Sequence, residues 1–312
     1  MKTLKNFWNQ LTTPRHRPFR RLSSTKSLLP YRLIADVEGN PPPSDHGSID
    51  GRGWVVGWAV HVGSHHVEND KGCEDSIAID QYLFSGADIA ERLNVSVCDG
   101  VSGGALGAVA SATAANYLTG LRPDFPDATN TAGLADARTR LENDIQHVDD
   151  VVRDAIAKHT TRTGATTISA AWLGPKGEGW ICRIGDCRFW QWRMPPKGDI
   201  RIKQLTEDQT YHNIGEIPPF GIPDVNPVFM AGNGTVGDPE VVRISLMPNE
   251  GLILASDGVH NFLTDQEMID LIASGLWNHQ NLGDVARTIE EKARENGSYD
   301  DVAVLVLMWK DF

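Results

Sequence analysis

The chain has 312 residues, 40% of them hydrophobic, and a formal net charge of -12; this is enough apolar material for a sizeable core and too much for a disordered chain. No apolar run approaches the ~20 residues that cross a bilayer, so no transmembrane segment is expected. The first 35 residues hold eight Lys or Arg and no acid, which leaves the remainder with a net charge of -20; such an acidic body repels nucleic acid over most of its surface and suits divalent cations.

The acid-free start, MKTLKNFWNQ and then PRHRPFRRLSSTKS, lacks the apolar centre of a secretory signal. It reads as a disordered tail, with an organelle transit peptide and a membrane-surface patch as alternatives. EGNPPPSDHGSIDGRG at 38–53 is a linker by composition, so residues 1–52 are expected to be tail and linker and 53–312 a single folded domain. GWVVGWAVHVG opens that domain as a strand, with a polar loop to Gly72 behind it. SIAIDQYLF and LNVSVCDG read as the next two strands. The Ala-rich GGALGAVASATAANYLTGL predicts a tightly packed helix over about 103–119, and a stripe of Leu141, Ile145, Val148, Val152 and Ile156 predicts another over about 133–159. Strands follow in ATTISAAWLG, GWICRIG, CRFWQWR and IRIKQLT. Residues 207–240 are rich in Gly, Pro and Asn and read as an inserted flap. VVRISL and LILASDG are strands, Thr264 with Glu267 signals a capping box, a last helix runs near 283–296, and DVAVLVLMW is the closing strand. Strand sets on both sides of helices imply an α+β layered fold, a two-sheet sandwich with helices outside. The four cysteines, Cys73, Cys98, Cys182 and Cys187, form no CxxC pair and sit in or beside strands. They are expected to be buried small hydrophobes in a reducing cytoplasm.

Four acidic sites fall at strand ends: CEDS at 73–76, VCDG at 97–100, ASDG at 255–258 and YDD at 299–301. One Asp-Gly at a strand end is an ordinary turn. Four acidic sites with apolar strands aimed at each suggest convergence, and converging carboxylates repel unless a cation neutralises them. Hard cations such as Mg²⁺ and Mn²⁺ take such oxygen donors, and a pair of them can activate a water and neutralise a phosphoryl group.

The ordered series CEDS, VCDGVSGGALGAVAS, GATTISAAWLG, ICRIGDCRFWQWR, QLTEDQ, GLILASDGVHNFL and SYDDVAVLVL, over roughly 55–309, resembles the type 2C protein phosphatase family. The resemblance implies a central antiparallel β-sandwich of two sheets flanked by helices. It also implies a Mn²⁺- or Mg²⁺-dependent phosphatase that hydrolyses phosphoserine and phosphothreonine with a metal-activated water. Carried onto this chain, Asp99 would bridge two metals, with the Gly100 carbonyl on one of them. Glu74 would serve the second metal, Asp257 and Asp300 would complete the first, and Asp75 would hold water. Asp186 matches a residue tied to a weaker third metal. Gly104 and Gly107 match the family's close-packed Gly-rich helix. A phosphorylated protein is the implied substrate and a Ser/Thr kinase the implied partner, with no nucleic acid.

Three departures stand out. Asp70 occupies the position of the phosphate-gripping Arg, with Lys71 beside it; Lys offers a point charge rather than a fork. GSHHVENDKGCEDS resembles instead a bacterial branch with a Gly-Ser-His start that lacks this Arg. Val101 replaces a His proposed elsewhere as general acid, and Asp300-Asp301 replaces the usual Asp-Asn. Lys71 and His65 are therefore assigned to the catalytic group with Asp99 and Asp75, although exposed loop histidines are the plainer reading of His65 and His66. The alternative function is a pseudophosphatase, a binding or regulatory module without turnover; a nucleotide-binding role is disfavoured by the absence of a P-loop or Rossmann fingerprint.

Overall fold

Strands that are apolar on both faces must be covered on both faces, and the final strand shows how. In β15 (Val302–Trp309), Ala303, Leu305 and Leu307 enter one buried cluster, while Val302, Val304 and Val306 enter another. The computed structural model describes residues 25–27, 31–35, 45–51, 53–69, 71–85, 89–101, 106–159, 164–194 and 199–310.

Within these residues two antiparallel sheets stack face to face. The first runs β1 (Thr25–Ser27), β5 (Ser76–Ser85), β6 (Ile89–Cys98), β9 (Ile168–Leu173), β10 (Glu178–Ile184) and β13 (Glu240–Ser245), with β2 (Arg32–Ile34) also on β5. The second runs β12 (Arg201–Gln204), β11 (Arg188–Arg193), β14 (Glu250–Ala255), β15, β4 (Trp54–His61) and β3 (Asp45–Asp50). A short ladder joins β7 (Gly100–Val101) to β8 (Ala165–Thr166). The seam between the sheets is filled by Val56, Trp58, Ile77, Ile79, Val95, Val97, Phe189 and Leu305 among others.

Helices cover the outer faces. On the first sheet lie α2 (Gly107–Thr119), α3 (Thr131–Gln146) and α4 (Val148–Ala157). The alanines 110, 114 and 115 bring α2 close to the strands, and Trp172 Nε1 donates to Leu118 O at 2.9 Å. On the second sheet lie α7 (Asp265–Trp277) and α8 (Leu282–Glu295). The capping box at Thr264 and Glu267 is present. These are the layers of the α+β sandwich expected from the sequence.

Local expectations change in three places. Folded structure begins before Gly53: β2 pairs with β5 and β3 pairs with β4 along their whole lengths, so part of the expected tail and linker belongs to both sheets. The helix expected over 133–159 breaks at His147, whose ring Nδ1 bonds Asn143 O at 2.7 Å and so satisfies a carbonyl at the end of α3. The polar loop before Gly72 contains a short helix, α1 (Ser64–Glu68). Two further helical turns are α5 (Tyr211–Ile214) in the 207–240 segment and α6 (Asp257–His260) after β14. No described helix is long and apolar enough to cross a membrane, and all four cysteines are buried thiols outside any disulfide.

Candidate metal centre

The acids gather where strands of both sheets end on the same side of the sandwich. β4 runs out at Val62-Gly63 and leads through α1 to Cys73-Glu74-Asp75, from which β5 departs. The turn after β6 supplies Asp99-Gly100, the β10–β11 turn supplies Asp186, the start of α6 supplies Asp257, and the approach to β15 supplies Asp300-Asp301.

Close backbone packing joins these loops. The Gly100 amide donates to Glu74 O at 3.1 Å, and the amide of Thr167 and the hydroxyl of Thr166 both donate to Asp99 O at 2.8 Å. A Cβ at Gly107 would come within 2.7 Å of Glu74 Cδ and 2.9 Å of Gly100 O, so the first turn of α2 can lie against the acids only without a side chain there. A Cβ at Gly63 would strike the backbone of Asp300, because the His65 amide is bonded to Tyr299 O at 3.0 Å. Ser111 on α2 donates to Glu74 O at 2.5 Å and meets Ser76 Oγ at 2.8 Å. Gly104 lies outside the described residues, as does Asp70.

Burial sets the electrostatics. Burial first, then the nearby Asp75, Asp257, Asp300 and Asp186, push the Asp99 carboxyl well above the usual range. Asp75 is raised by burial and by Asp301, against a bond from Ser256. Asp186 is raised by burial and Asp257. Asp257 is raised to about 7 by burial and Asp300, against a hydrogen bond with Asp99. Asp300, more open, is raised by its burial. The acids therefore form one mutually repelling set. Among the described residues no three His, Cys, Asp or Glu side chains already stand as a cation cage. Two buried oxygens, Asp75 Oδ2 and Asp186 Oδ1, have no hydrogen-bond partner. Buried unpartnered carboxylate oxygens cost several kcal/mol on the order of a buried charge, and hard cations are the ligands whose chemistry matches such donors.

The remaining expected residues divide. Lys71 is half-buried just past α1, its amide on His66 O at 2.8 Å. His65 is exposed, near enough to Asp300 for its ring to pull that carboxyl down. The buried histidine of the pair is His66, whose Nδ1 lies 2.8 Å from Asp301 Oδ2 and whose Nε2 lies 3.6 Å from Glu74 Oε2. The Asp301 bond, followed by the nearby charges, raises the His66 ring above its ordinary value against the cost of burial. The sequence places His66 beside His65 as an exposed loop histidine and Asp301 as an added charge beside Asp300, whereas the structure buries both and joins them. The only signals were a second His and a second Asp beside residues already singled out. His260, buried, bonds Asp186 O through Nε2 at 3.0 Å, and burial drives its ring down to about 3, so it is a neutral donor that holds the Asp186 turn.

The protein phosphatase 2C family model matches residues 62–291. A probable protein phosphatase 2C 74 from Oryza sativa subsp. japonica is 31% identical over 49% of this chain and 41% of its own length, so the matched part spans less than half of that relative. The serine/threonine phosphatase stp of Listeria welshimeri is 27% identical over 68% of this chain and 83% of its own. Among solved structures, the catalytic domain of the serine/threonine protein phosphatase PstP in complex with two manganese ions superposes with a TM-score of 0.54 at 19% identity, covering 90% of this chain and 99% of that one. The family match takes in the strand-end acids from Glu74 to Asp257 and the strands from β5 to β14, and with it the chain belongs to the protein phosphatase 2C family of phosphoprotein phosphatases.

Proposed function

We propose that this chain removes phosphate from phosphoserine and phosphothreonine on proteins, using Mn²⁺ or Mg²⁺ held by its strand-end acids. The observation that carries the reading is the convergence of five raised carboxyls, two of which bear buried oxygens without a partner. Asp99 and the Gly100 carbonyl would lie at the centre of the site, with Glu74 on one side and Asp257 and Asp300 on the other. Asp75 would act through water, and Asp186 would serve a third, weaker position. Bound there, the cations would supply an activated water and neutralise the phosphoryl oxygens.

The chain's own residues do the positioning. Ser256 orients Asp75, His260 holds the Asp186 turn, and Thr166 and Thr167 fix the Asp99 carbonyl. Lys71 would offer the substrate phosphate a point charge in place of the Arg fork, and His65, exposed beside Asp300, would meet the leaving oxygen. The Listeria relative is named a serine/threonine phosphatase, which supports a phosphoprotein substrate and a kinase partner for this chain. Four buried thiols outside any disulfide support a reducing, cytoplasmic setting.

The test is hydrolysis of p-nitrophenyl phosphate and of a phosphothreonine peptide with MnCl₂, in wild type beside Asp257→Asn. Activity should require the cation and vanish in the variant. Undiminished turnover in EDTA would sink the metal mechanism, and a folded wild type that neither binds Mn²⁺ nor turns over would favour a binding module.

A further inference from the structure

Asp301 is bonded on both oxygens. Oδ1 accepts the Gly63 amide at 2.7 Å, while Oδ2 accepts the Glu74 amide at 2.5 Å and faces His66 Nδ1 at 2.8 Å. Three donors on one side chain explain why a carboxylate stands here: an amide would turn its NH₂ toward N–H groups on one side or the other. The residues joined lie more than 220 positions apart, at opposite ends of the folded chain. The other edge of the His66 ring faces Glu74 Oε2 at 3.6 Å, beyond a hydrogen bond but within reach of a charge contact. His66, Asp301 and Glu74 are all buried. One unit thus takes hold of Glu74 twice, by its backbone amide through Asp301 and by its carboxylate through the His66 ring. Meanwhile α2 closes the far side, since Gly107 leaves no room beyond the Glu74 carboxyl. A histidine serving only the core would need one partner and apolar neighbours; both nitrogens of this one face carboxylates.

We infer that His66 and Asp301 form a positioning pair that sets the direction of the Glu74 carboxylate for the cation, a role that rests on the proposed metal site and extends it to two residues outside the ligand set. Partners of this kind typically change metal affinity by about 10–100-fold when removed.

The experiment is calorimetric titration of the full chain with MnCl₂, beside thermal unfolding in EDTA. His66→Asn places an amide nitrogen where Nδ1 stands, so Asp301 keeps a donor while the ring edge facing Glu74 is lost. Asp301→Asn keeps the ring and spoils the three-donor site. Each is expected to weaken Mn²⁺ about tenfold, and the double variant no more than the worse single one, because both act through Glu74. The unfolding midpoint of His66→Asn in EDTA should stay close to wild type, whereas a merely structural histidine would lower that midpoint and leave the affinity intact. A folded His66→Asn that binds Mn²⁺ within threefold of wild type overturns the assignment. Should that variant not fold, the same threshold is read on Asp301→Asn. Wild type that fails to bind Mn²⁺ at all counts against the metal site itself rather than against the pair.

Discussion

The acid cluster and the 207–240 segment stand on the same rim of the sandwich and are built by opposite rules. The cluster is buried, its loops locked to one another by main-chain bonds and by glycines whose replacement would collide with a neighbour. The segment is fastened at its two ends and open in its middle. At one end Arg188 grips Asp208 through two bonds, Nε to Oδ1 at 2.8 Å and Nη2 to Oδ2 at 2.6 Å, and Gln209 exchanges bonds with Gly185 beside Asp186. At the other end Asp149 Oδ1 receives the Gly232 and Gly234 amides. Between them Ile217 is 90% and Phe220 108% exposed. A rigid centre that stores repulsion suits chemistry, and an anchored, apolar, exposed loop suits contact with a macromolecular substrate.

The largest effect that would test this division is loss of the central acid. Asp99→Asn should cut Mn²⁺-dependent p-nitrophenyl phosphate turnover by about a thousandfold or more. The same variant should unfold in EDTA at a higher temperature than wild type, because it removes one of a set of buried charges that repel. Activity lost together with stability would instead make Asp99 a structural residue.

Next in size is the pH response of the metal-free protein. A carboxyl raised in the folded state binds its proton more tightly there than when unfolded. Its contribution is full below the unfolded value and is lost as pH climbs through the folded one. Asp257, raised to about 7, therefore destabilises the apoprotein as pH rises from about 4 through 7, with Asp75, Asp99 and Asp186 acting in the same sense. His260, lowered to about 3, opposes them below its unfolded value of 6.5. Between pH 6.5 and 8.5 the opposition from His260 has ended, and His66, raised chiefly by its bond to Asp301, adds to the fall in the same sense as the carboxyls. Melting in EDTA should then fall by several degrees across that window, and saturating Mn²⁺ should remove the fall. A flat profile in EDTA would show that the acids are not mutually repelling.

A steric test comes third. Gly107→Ala places a methyl 2.7 Å from Glu74 Cδ and 2.9 Å from the Gly100 carbonyl, which should cost about 1–3 kcal/mol and weaken Mn²⁺ binding. Unchanged affinity would show that α2 can withdraw without disturbing Glu74.

How far the sequence speaks follows the same line. Asp99 and Asp257 are legible because a strand running into Asp-Gly is a local pattern, and the sandwich is legible because strands such as β15 are apolar on both faces. His66 and Asp301 carry no local mark: their meaning arises only when residues 235 positions apart meet at 2.8 Å. β3 was hidden for a related reason. DHGSID alternates half-buried and exposed residues and holds its place through main-chain pairing with β4 rather than through an apolar pattern. The Arg188–Asp208 fork was equally invisible, because fork and carboxylate lie in separate sequence blocks.

The smallest expected effect tests the open region. Ile217 and Phe220 rest on solvent rather than on the core, so replacing both with Ser should shift the unfolding free energy by no more than about 0.5 kcal/mol. Mn²⁺ affinity and p-nitrophenyl phosphate turnover should hold, since neither residue belongs to the acid cluster. A phosphopeptide long enough to cross the rim should lose severalfold in kcat/KM, carried mostly by KM, because apolar contacts made equally before and during the reaction reduce binding and not the chemical step. If peptide and p-nitrophenyl phosphate fall together, the segment acts on the acid cluster through its Gln209–Gly185 anchor, and the rim is one unit rather than two. If neither changes, the exposed apolar loop faces some partner other than the substrate, and the contrast between a rigid centre and a substrate-reading rim fails on its second term.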